Sequence, residues 1–477
     1  MIMKKIVVII VAAFMLLGLH SASAQSRTSY FMEGSYFRND LNPALVPTRG
    51  YVALPVMSGV GLNATNNFIS IDNFVYQRDG ELVTALHSSV TADEFLKKLP
   101  AQGKLTTDLK TNLFSVGFYV KRSFWNFGIN ANVSADAAMS MDVFKALKTL
   151  GNGVYDLGNT AIEANAYMDA FVGTSFRVHR NVNVGVKAKL LVGVATLDGQ
   201  FSKLNANVTP DAVDATMQGT WRANGIFIDN SQVKAGNELP IDEVMRTDLS
   251  YMLNNLNNFG FAVDLGAEVR LLGDHLKISA AVTDLGFIKW GGKTQISGKL
   301  DGEFNFAGVN LETSEMNTSG DFNLMVDEGA TSKGYATMLN FALNVGAEYN
   351  ILKNRIAFGL LSHTKFCGSM TYSELTASVN FRPLNWITAT FSHTFLNNNR
   401  LGVLGFALNI HPRALNIYAG LDFIDTSWVK GPTIKGVQPP LPRYQKSLNA
   451  YVGLGFNFGR PKFLRAEKAK KRERIED

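Results

Sequence analysis

The chain reads as a succession of amphipathic strands whose connectors alternate between very short and very long. In residues 125–133, Trp125, Phe127, Ile129, Ala131 and Val133 fall on one face and Asn126, Gly128, Asn130 and Asn132 on the other, an unbroken period of two. Residues 261–271 repeat it, with Phe261, Val263, Leu265, Ala267, Val269 and Leu271 opposite Asp264, Gly266, Glu268 and Arg270. One face suits hydrocarbon and the other water. The same criterion predicts strands near 51–64, 111–121, 124–134, 164–178, 181–195, 259–271, 275–286, 335–349, 353–363, 370–381, 386–396, 400–410, 414–424 and 447–458. Turns of a few residues, at Lys121-Arg122, His179-Arg180, Gly273-Asp274, Lys353-Asn354, Pro383-Leu384 and Pro412-Arg413, follow the even strands. The excursions 65–110, 135–163, 196–258, 287–334 and 425–446 follow odd ones. This pattern predicts an all-β fold, a transmembrane antiparallel β-barrel of about fourteen strands (12–16). Short turns then face the periplasm and long loops the outside, with both termini periplasmic. On this reading an arginine at Leu265, facing lipid, is expected to cost more than one at Gly266, facing the lumen.

Export is written at the start of the chain. Lys4 and Lys5 precede an apolar run from Ile6 to Leu19, and Ala22-Ser23-Ala24 supplies the small residues of a cleavage site before Gln25. The expected units are a signal peptide at 1–24, an N-terminal plug segment at 25–50, the barrel at 51–458 and a basic periplasmic tail at 459–477. Cys367 is the single cysteine, so no internal disulfide braces the exported chain, a role that a hydrogen-bonded closed barrel fills instead. Formal net charge is +6, of which the signal peptide carries +2; residues 460–477 hold eight bases against four acids, another +4. The remainder is neutral, so the basic balance belongs to the tail and gives no support to nucleic-acid binding.

The sequence carries no metal-ligand spacing, phosphate loop or cofactor motif, and an enzyme is not expected. The triplets Ser362-His363-Thr364 and Ser392-His393-Thr394 offer a nucleophile and a base, but neighbouring strand residues point oppositely. His363 shares the lumen parity of Ala357, Gly359 and Leu361; His393 shares the lipid parity of Phe391 and Phe395. The predicted lumen face includes Asn130, Lys187, Lys189, Asp264, Glu268, Arg270, Glu348 and Glu374. Two readings stay open for it, a polar conduit and an interior of mutually paired charges packed on a plug.

Helical patterns interrupt three long connectors: Thr91-Ala92-Asp93-Glu94 capping a short helix, Met141 to Leu150, and Pro240 to Leu256. Ahead of the first strand, Ser29 to Gly50 is too polar and proline-broken to span, with Asn42-Pro43-Ala44 and Pro47 within it. Irregular backbone at membrane depth must be enclosed by protein, so a plug is expected, wedged by Tyr30, Phe31, Tyr36 and Phe37. The signal peptide, the Asn42-Pro43-Ala44 segment, the strand count and the closing strand Tyr451 to Phe458 resemble the long-chain fatty acid transporter type of barrel. More closely, the whole chain resembles an uncharacterised outer-membrane barrel family of Bacteroidota. The first resemblance implies import of hydrophobic compounds past an N-terminal hatch and out sideways through the wall; relatives of the second include secretion scaffolds. The chain departs from the usual pattern by running on past Phe458.

The resulting expectation is a monomeric outer-membrane barrel for passive uptake or binding of hydrophobic or small polar compounds. Its partners would be outer-membrane lipid, the barrel assembly machinery and a hydrophobic ligand. Two alternatives differ in class: a scaffold barrel engaging a secretion or envelope partner, and a soluble exported β-sandwich, in which strands alternate in the same way.

Overall fold

A computed structural model of the chain describes residues 27–459 apart from 55–58, 79–80, 150–152, 209–212, 311–314, 327–333, 369–370, 397–398, 425–426, 431–439 and 444–446. The expected signal peptide and the tail from Arg460 lie outside the described residues. Fourteen antiparallel strands close into a barrel. They are β1 (Gly50–Ala53, continued by Val60–Asn66), β2 (Gln102–Val120), β3 (Ser123–Ser140), β4 (Gly153–His179), β5 (Val182–Val208), β6 (Phe259–Leu271) and β7 (Leu276–Trp290). There follow β8 (Tyr335–Met338, continued by Phe341–Ile351), β9 (Ile356–Phe366), β10 (Thr371–Leu384), β11 (Ile387–Leu396), β12 (Asn399–Ile410), β13 (Leu415–Ile424) and β14 (Ser447–Phe458). Each pairs with its chain neighbours, and β14 returns to β1 with Gly50 opposite Phe458 and Val60 opposite Val452.

The alternation sorts side chains as a bilayer requires. Phe391 is 53% exposed on the outer face, whereas Thr390 and Ser392 beside it are 0% and 5% exposed within. Phe127, Leu265, Phe358 and Val452 continue the outward apolar belt around the wall. Among the described residues no helix is long and apolar enough to cross a membrane.

Above the belt the structure corrects the expected loops. β4 and β5 run 27 residues each, where about 9–11 suffice to span a bilayer, and they stay paired out to Gly153 opposite Ala206. Val213–Gly225 joins the projecting part of β5, Gln295–Asn310 joins that strand, and Glu315–Val326 joins Gln295–Asn310. The excursions 196–258 and 287–334 therefore contain sheet rather than loop alone. Trp221 and Ile296 of this sheet pack with Phe227, Ile228, Val244 and Met252 in a separate buried cluster beyond the belt, where no lipid face enforces a strict alternation along the strands. The long connectors also carry short helices, Ala92–Leu96, Asp142–Thr149, Ile241–Val244 and Leu249–Asn254. Thr91 accepts from the Glu94 amide at 3.2 Å, and Phe74, Phe95 and Phe144 pack edge to face beside that helix.

Residues 27–49 lie inside the barrel, their backbone hydrogen bonds local, such as Tyr30 N to Arg27 O and Asn42 N to Arg38 O. Arg27 meets Glu374, near the long-loop end of β10, and Asp422, near that end of β13. Tyr119 and Arg413, at the opposite end, receive Pro47 and Arg49. The segment thus runs down the lumen from the long-loop half to the short-turn rim. Arg27, the first described residue, lies within the barrel, and Gly459 lies at the short-turn rim, its carbonyl accepting from Gly50 N.

The expectation for Gly266 also needs correction. A Cβ there would overlap the Asn42 amide and crowd the Pro43 ring, so the position is lumen-facing but occupied. Leu265→Arg should cost about 2–4 kcal/mol by placing an arginine in hydrocarbon, and Gly266→Arg should also block assembly. Deleting residues 29–48 should rescue Gly266→Arg and leave Leu265→Arg defective, read as heat-modifiable migration on gels. Rescue of both would mean that the belt does not face lipid.

Candidate functional site

The lumen is a core built jointly by the wall and the inserted segment. Tyr30, Phe31, Met32, Tyr36, Phe37, Leu41 and Leu45 from the segment pack with Tyr51, Phe124, Leu361, Tyr418 and Tyr451 from the wall. Tyr36 stacks on Tyr51 with ring centres 4.4 Å apart, and Phe37 stacks on Tyr418 at 5.1 Å. Close approach is possible because the wall presents glycines. A Cβ at Gly185 would overlap the Pro43 backbone, and one at Gly359 would crowd Phe31. The Asn42-Pro43-Ala44 tripeptide sits in the notch between Gly185 and Gly266. Asn42 is fully buried; its Oδ1 accepts from Ala44 N at 2.9 Å and its Nδ2 donates to Tyr30 Oη at 3.1 Å. The Pro43 carbonyl accepts from Asn39 Nδ2 at 2.9 Å and from Ser175 of β4.

Polar attachments ring this core. At the long-loop end, the Arg27 guanidinium lies 2.6 Å from Glu374, with Tyr372 accepting from it at 3.2 Å. At mid-height, Lys187 Nζ is 2.7 Å from Asp40 and lies over the Phe171 ring. Lower down, Glu33 pairs with Lys277, which reaches Glu348 at 3.1 Å; Arg382 joins Glu348 and donates to the Phe31 carbonyl at 2.8 Å. Wall amides hold the segment's backbone, Asn344 donating to Leu41 O at 3.0 Å and Asn416 to Gly34 O at 2.8 Å.

All eight lumen candidates face inward, but they form separate groups. Lys187, Glu348 and Glu374 engage the segment or its partners, as above. Lys189 bridges Asp264 at 2.8 Å and Asp284 at 2.5 Å within the wall. Asn130 links Asn112 and Asp169 at 2.8 and 2.9 Å, also within the wall. Glu268 and Arg270 pair at 2.6 Å in the short-turn vestibule. Sequence reasoning missed Arg27, Glu33, Asp40, Lys277 and Arg382. Parity with Ser279 and with Asn380 could have found the last two, whereas the segment's own charges follow no period. His363 Nδ1 donates to Asn344 Oδ1 at 2.7 Å within the lumen while Ser362 faces out, so the pair lies across the wall.

Two spaces flank the segment. A chamber of about 60 Å³ on the long-loop side is lined by Arg27, Asp108, Lys110, Asn132, Lys365 and Tyr372. A vestibule of about 260 Å³ at the short-turn rim is lined by Arg38, Tyr119, Arg122, Arg177 and Arg270, among others. The chamber has room for a few waters, whereas a cavity of roughly 150 Å³ is known to take up benzene.

Belt, closed ladder and filled lumen define a transmembrane β-barrel of the outer-membrane type. The chain belongs to a family of unknown function, DUF5723, whose model matches residues 43–422. No curated protein matches it. Among solved structures it is similar to the toluene transporter TbuX of Ralstonia pickettii, at 8% identity over 92% of this chain and 95% of that one, TM-score 0.40. It is similar to a FadL homologue of Pseudomonas aeruginosa, at 8% identity over 92% and 100%, TM-score 0.41. A mutant of the monoaromatic hydrocarbon channel TodX gives 10% identity over 92% and 96%, TM-score 0.39.

Removing one member of a buried pair strands the other. Asp40→Asn should weaken the segment's hold by about 3–5 kcal/mol by leaving Lys187 unpaired, and adding Lys187→Met should restore most of it. Single-channel recording reads this as a raised open probability in the single variant and a near wild-type value in the double. Equal behaviour of all three would remove the pair from the latch.

Acid should act on the same latch. Burial disfavours charge on Glu33, but Arg382 and Lys277 outweigh it and hold its carboxyl well below the usual range; Lys187 likewise outweighs burial at Asp40. Carboxylates with depressed values stabilise the seated segment above their ordinary value of about 4, and that contribution is lost as pH falls through the lowered values. Bilayer conductance should stay at its neutral level down to about pH 4 and rise below it. A rise already at pH 6 would exclude these pairs.

Proposed function

We propose that this protein is a passive uptake barrel of the Gram-negative outer membrane, in which residues 27–49 act as a displaceable plug admitting small compounds. The observation that carries the reading is how the segment is held: its links to the wall run through side chains, and one covalent connection at Gly50 ties it to β1. It can leave the lumen without breaking a rung of the barrel ladder. Mixed charge and amides around the upper chamber favour small polar solutes along the lumen axis. A second feature fits hydrophobic solutes. Between the pairs Ala53 with Ser115 and Val60 with Thr111, β1 advances seven residues against four on β2, a shift of register in the wall beside the plug. Short turns face the periplasm in this reading, the barrel assembly machinery inserts the chain, and the barrel works as a monomer.

The alternative of a scaffold barrel is favoured by one specific observation, the sheet that β5, Val213–Gly225, Gln295–Asn310 and Glu315–Val326 raise beyond the belt. Liposome swelling separates the two. Barrel lacking residues 29–48 should admit small sugars and amino acids several-fold faster than the intact protein. An assembled deletion variant as tight as the wild type would discard the uptake reading in favour of the scaffold.

A further inference from the structure

The neutral charge balance between Gln25 and Gly459 (+6 less +2 for the signal peptide and +4 for the tail) conceals a strong segregation. Six exposed cations stand on the short-turn rim: Lys121, Arg122, Arg180, Lys353, Arg355 and Arg413. Among the described residues of those turns, Asp274 is the one carboxylate, so the rim carries an excess of five positive charges, six less one. A neutral remainder means that the rest of the barrel carries the matching negative excess.

The cations stand at a defined height. Immediately toward the belt, Val120, Phe176 and Val178 are 48%, 41% and 63% exposed, an outward apolar edge that ends where the charges begin. Cations one or two residues beyond an apolar band lie at the depth of lipid headgroups.

Two neighbouring turns add a second, independent feature. Leu272, Gly273 and Asp274 have φ of 51°, 66° and 75°, and Leu352, Lys353 and Asn354 have 49°, 57° and 68°. Three successive left-handed residues beginning with leucine form a conformation that a branched side chain rarely adopts. Leu272 and Leu352 are nevertheless 67% and 64% exposed at the rim. The two turns are joined, with Asn350 Nδ2 donating to the Asp274 carbonyl at 3.1 Å. Strained backbone that projects an apolar side chain beside Lys353 and Arg355 suits a partner that is apolar and anionic together.

We propose that the short-turn rim is a binding collar for anionic phospholipid, its arginines and lysines contacting phosphodiester headgroups while Leu272 and Leu352 insert among the acyl chains. The proposal requires that the barrel span a bilayer and is independent of whether it conducts. Basic residues clustered at a membrane surface attract anionic lipid in a salt-sensitive manner.

The test uses the full chain in detergent, offered phosphatidylglycerol and phosphatidylethanolamine together, with retained lipid counted by native mass spectrometry. The intact protein should retain phosphatidylglycerol about tenfold over phosphatidylethanolamine, and the preference should weaken in high salt. Changing all six cations to glutamine should bring the ratio near one, and Lys353→Gln with Arg355→Gln should give an intermediate value; should the sixfold variant fail to assemble, the double variant decides. Equal retention of both lipids by the intact protein overturns the proposal. So does a preference that survives neutralisation of the rim but disappears on truncation after Arg460, which would assign lipid binding to the tail. Equal capture of soluble acidic cell-wall fragments, with no lipid preference, overturns it in favour of a wall partner. Recovery of the chain without detergent and without any lipid would overturn the membrane reading itself, a result distinct from loss of the preference alone.

Discussion

Every feature of this barrel depends on the requirement that backbone amides and carbonyls in hydrocarbon find partners inside the protein. β14 meets that requirement by returning to β1, and closure removes the exposed sheet edge that fourteen strands would otherwise leave. Closure also creates a difficulty. A ring of this many strands encloses more space than its own inward side chains fill, whereas about eight strands can be packed by theirs alone. The lumen must then hold water or more protein.

Here the chain supplies protein, and the wall is adapted to receive it. Glycines at 185, 266 and 359 remove the side chains that would occupy the places of Pro43, Asn42 and Phe31. Between those notches the wall raises asparagines and charged groups that recognise carbonyls and carboxylates on the segment. The same inward face that alternation assigns to water is therefore solvated largely by another stretch of the chain. Segment and wall form one core, and neither is complete without the other.

The strands below the rim were legible because lipid on one side and a polar lumen on the other impose a strict period of two. Predicted bounds such as 386–396, 400–410, 414–424 and 447–458 differ from the observed Ile387–Leu396, Asn399–Ile410, Leu415–Ile424 and Ser447–Phe458 by a residue at most. Outside the bilayer no lipid face enforces alternation, and Val213–Gly225 and Gln295–Asn310, which contribute Trp221 and Ile296 to a cluster beyond the belt, escaped notice for that reason. Parity also assigned Asn130, Lys187, Lys189 and Glu348 to the inner face. It could not pair them, because Lys187 finds Asp40 and Glu348 finds Lys277 and Arg382 only through three-dimensional packing. Arg27 and Glu33 lie in a segment with no period at all, so nothing local marks them as ligands of the wall.

The two kinds of contact holding the segment contribute differently to its release. A buried ion pair such as Lys187 with Asp40 gains Coulomb energy at the cost of dehydrating both ions, and the balance is often near zero against hydrated, separated charges. If water enters as the segment leaves, most of that balance is recovered. The ion pairs accordingly fix where the segment sits more than how tightly. Tightness falls to the aromatic cluster, since Tyr30, Phe31, Tyr36 and Phe37 are each at most 5% exposed and lose their burial altogether on release. At roughly 1.5–3 kcal/mol for each large apolar side chain fully buried, these four dominate the cost of opening. In the uptake reading proposed above, a solute that displaces the segment must therefore offset lost aromatic contact, and one able to occupy the vacated apolar surface beside Tyr418 and Tyr451 would do so better than an ion.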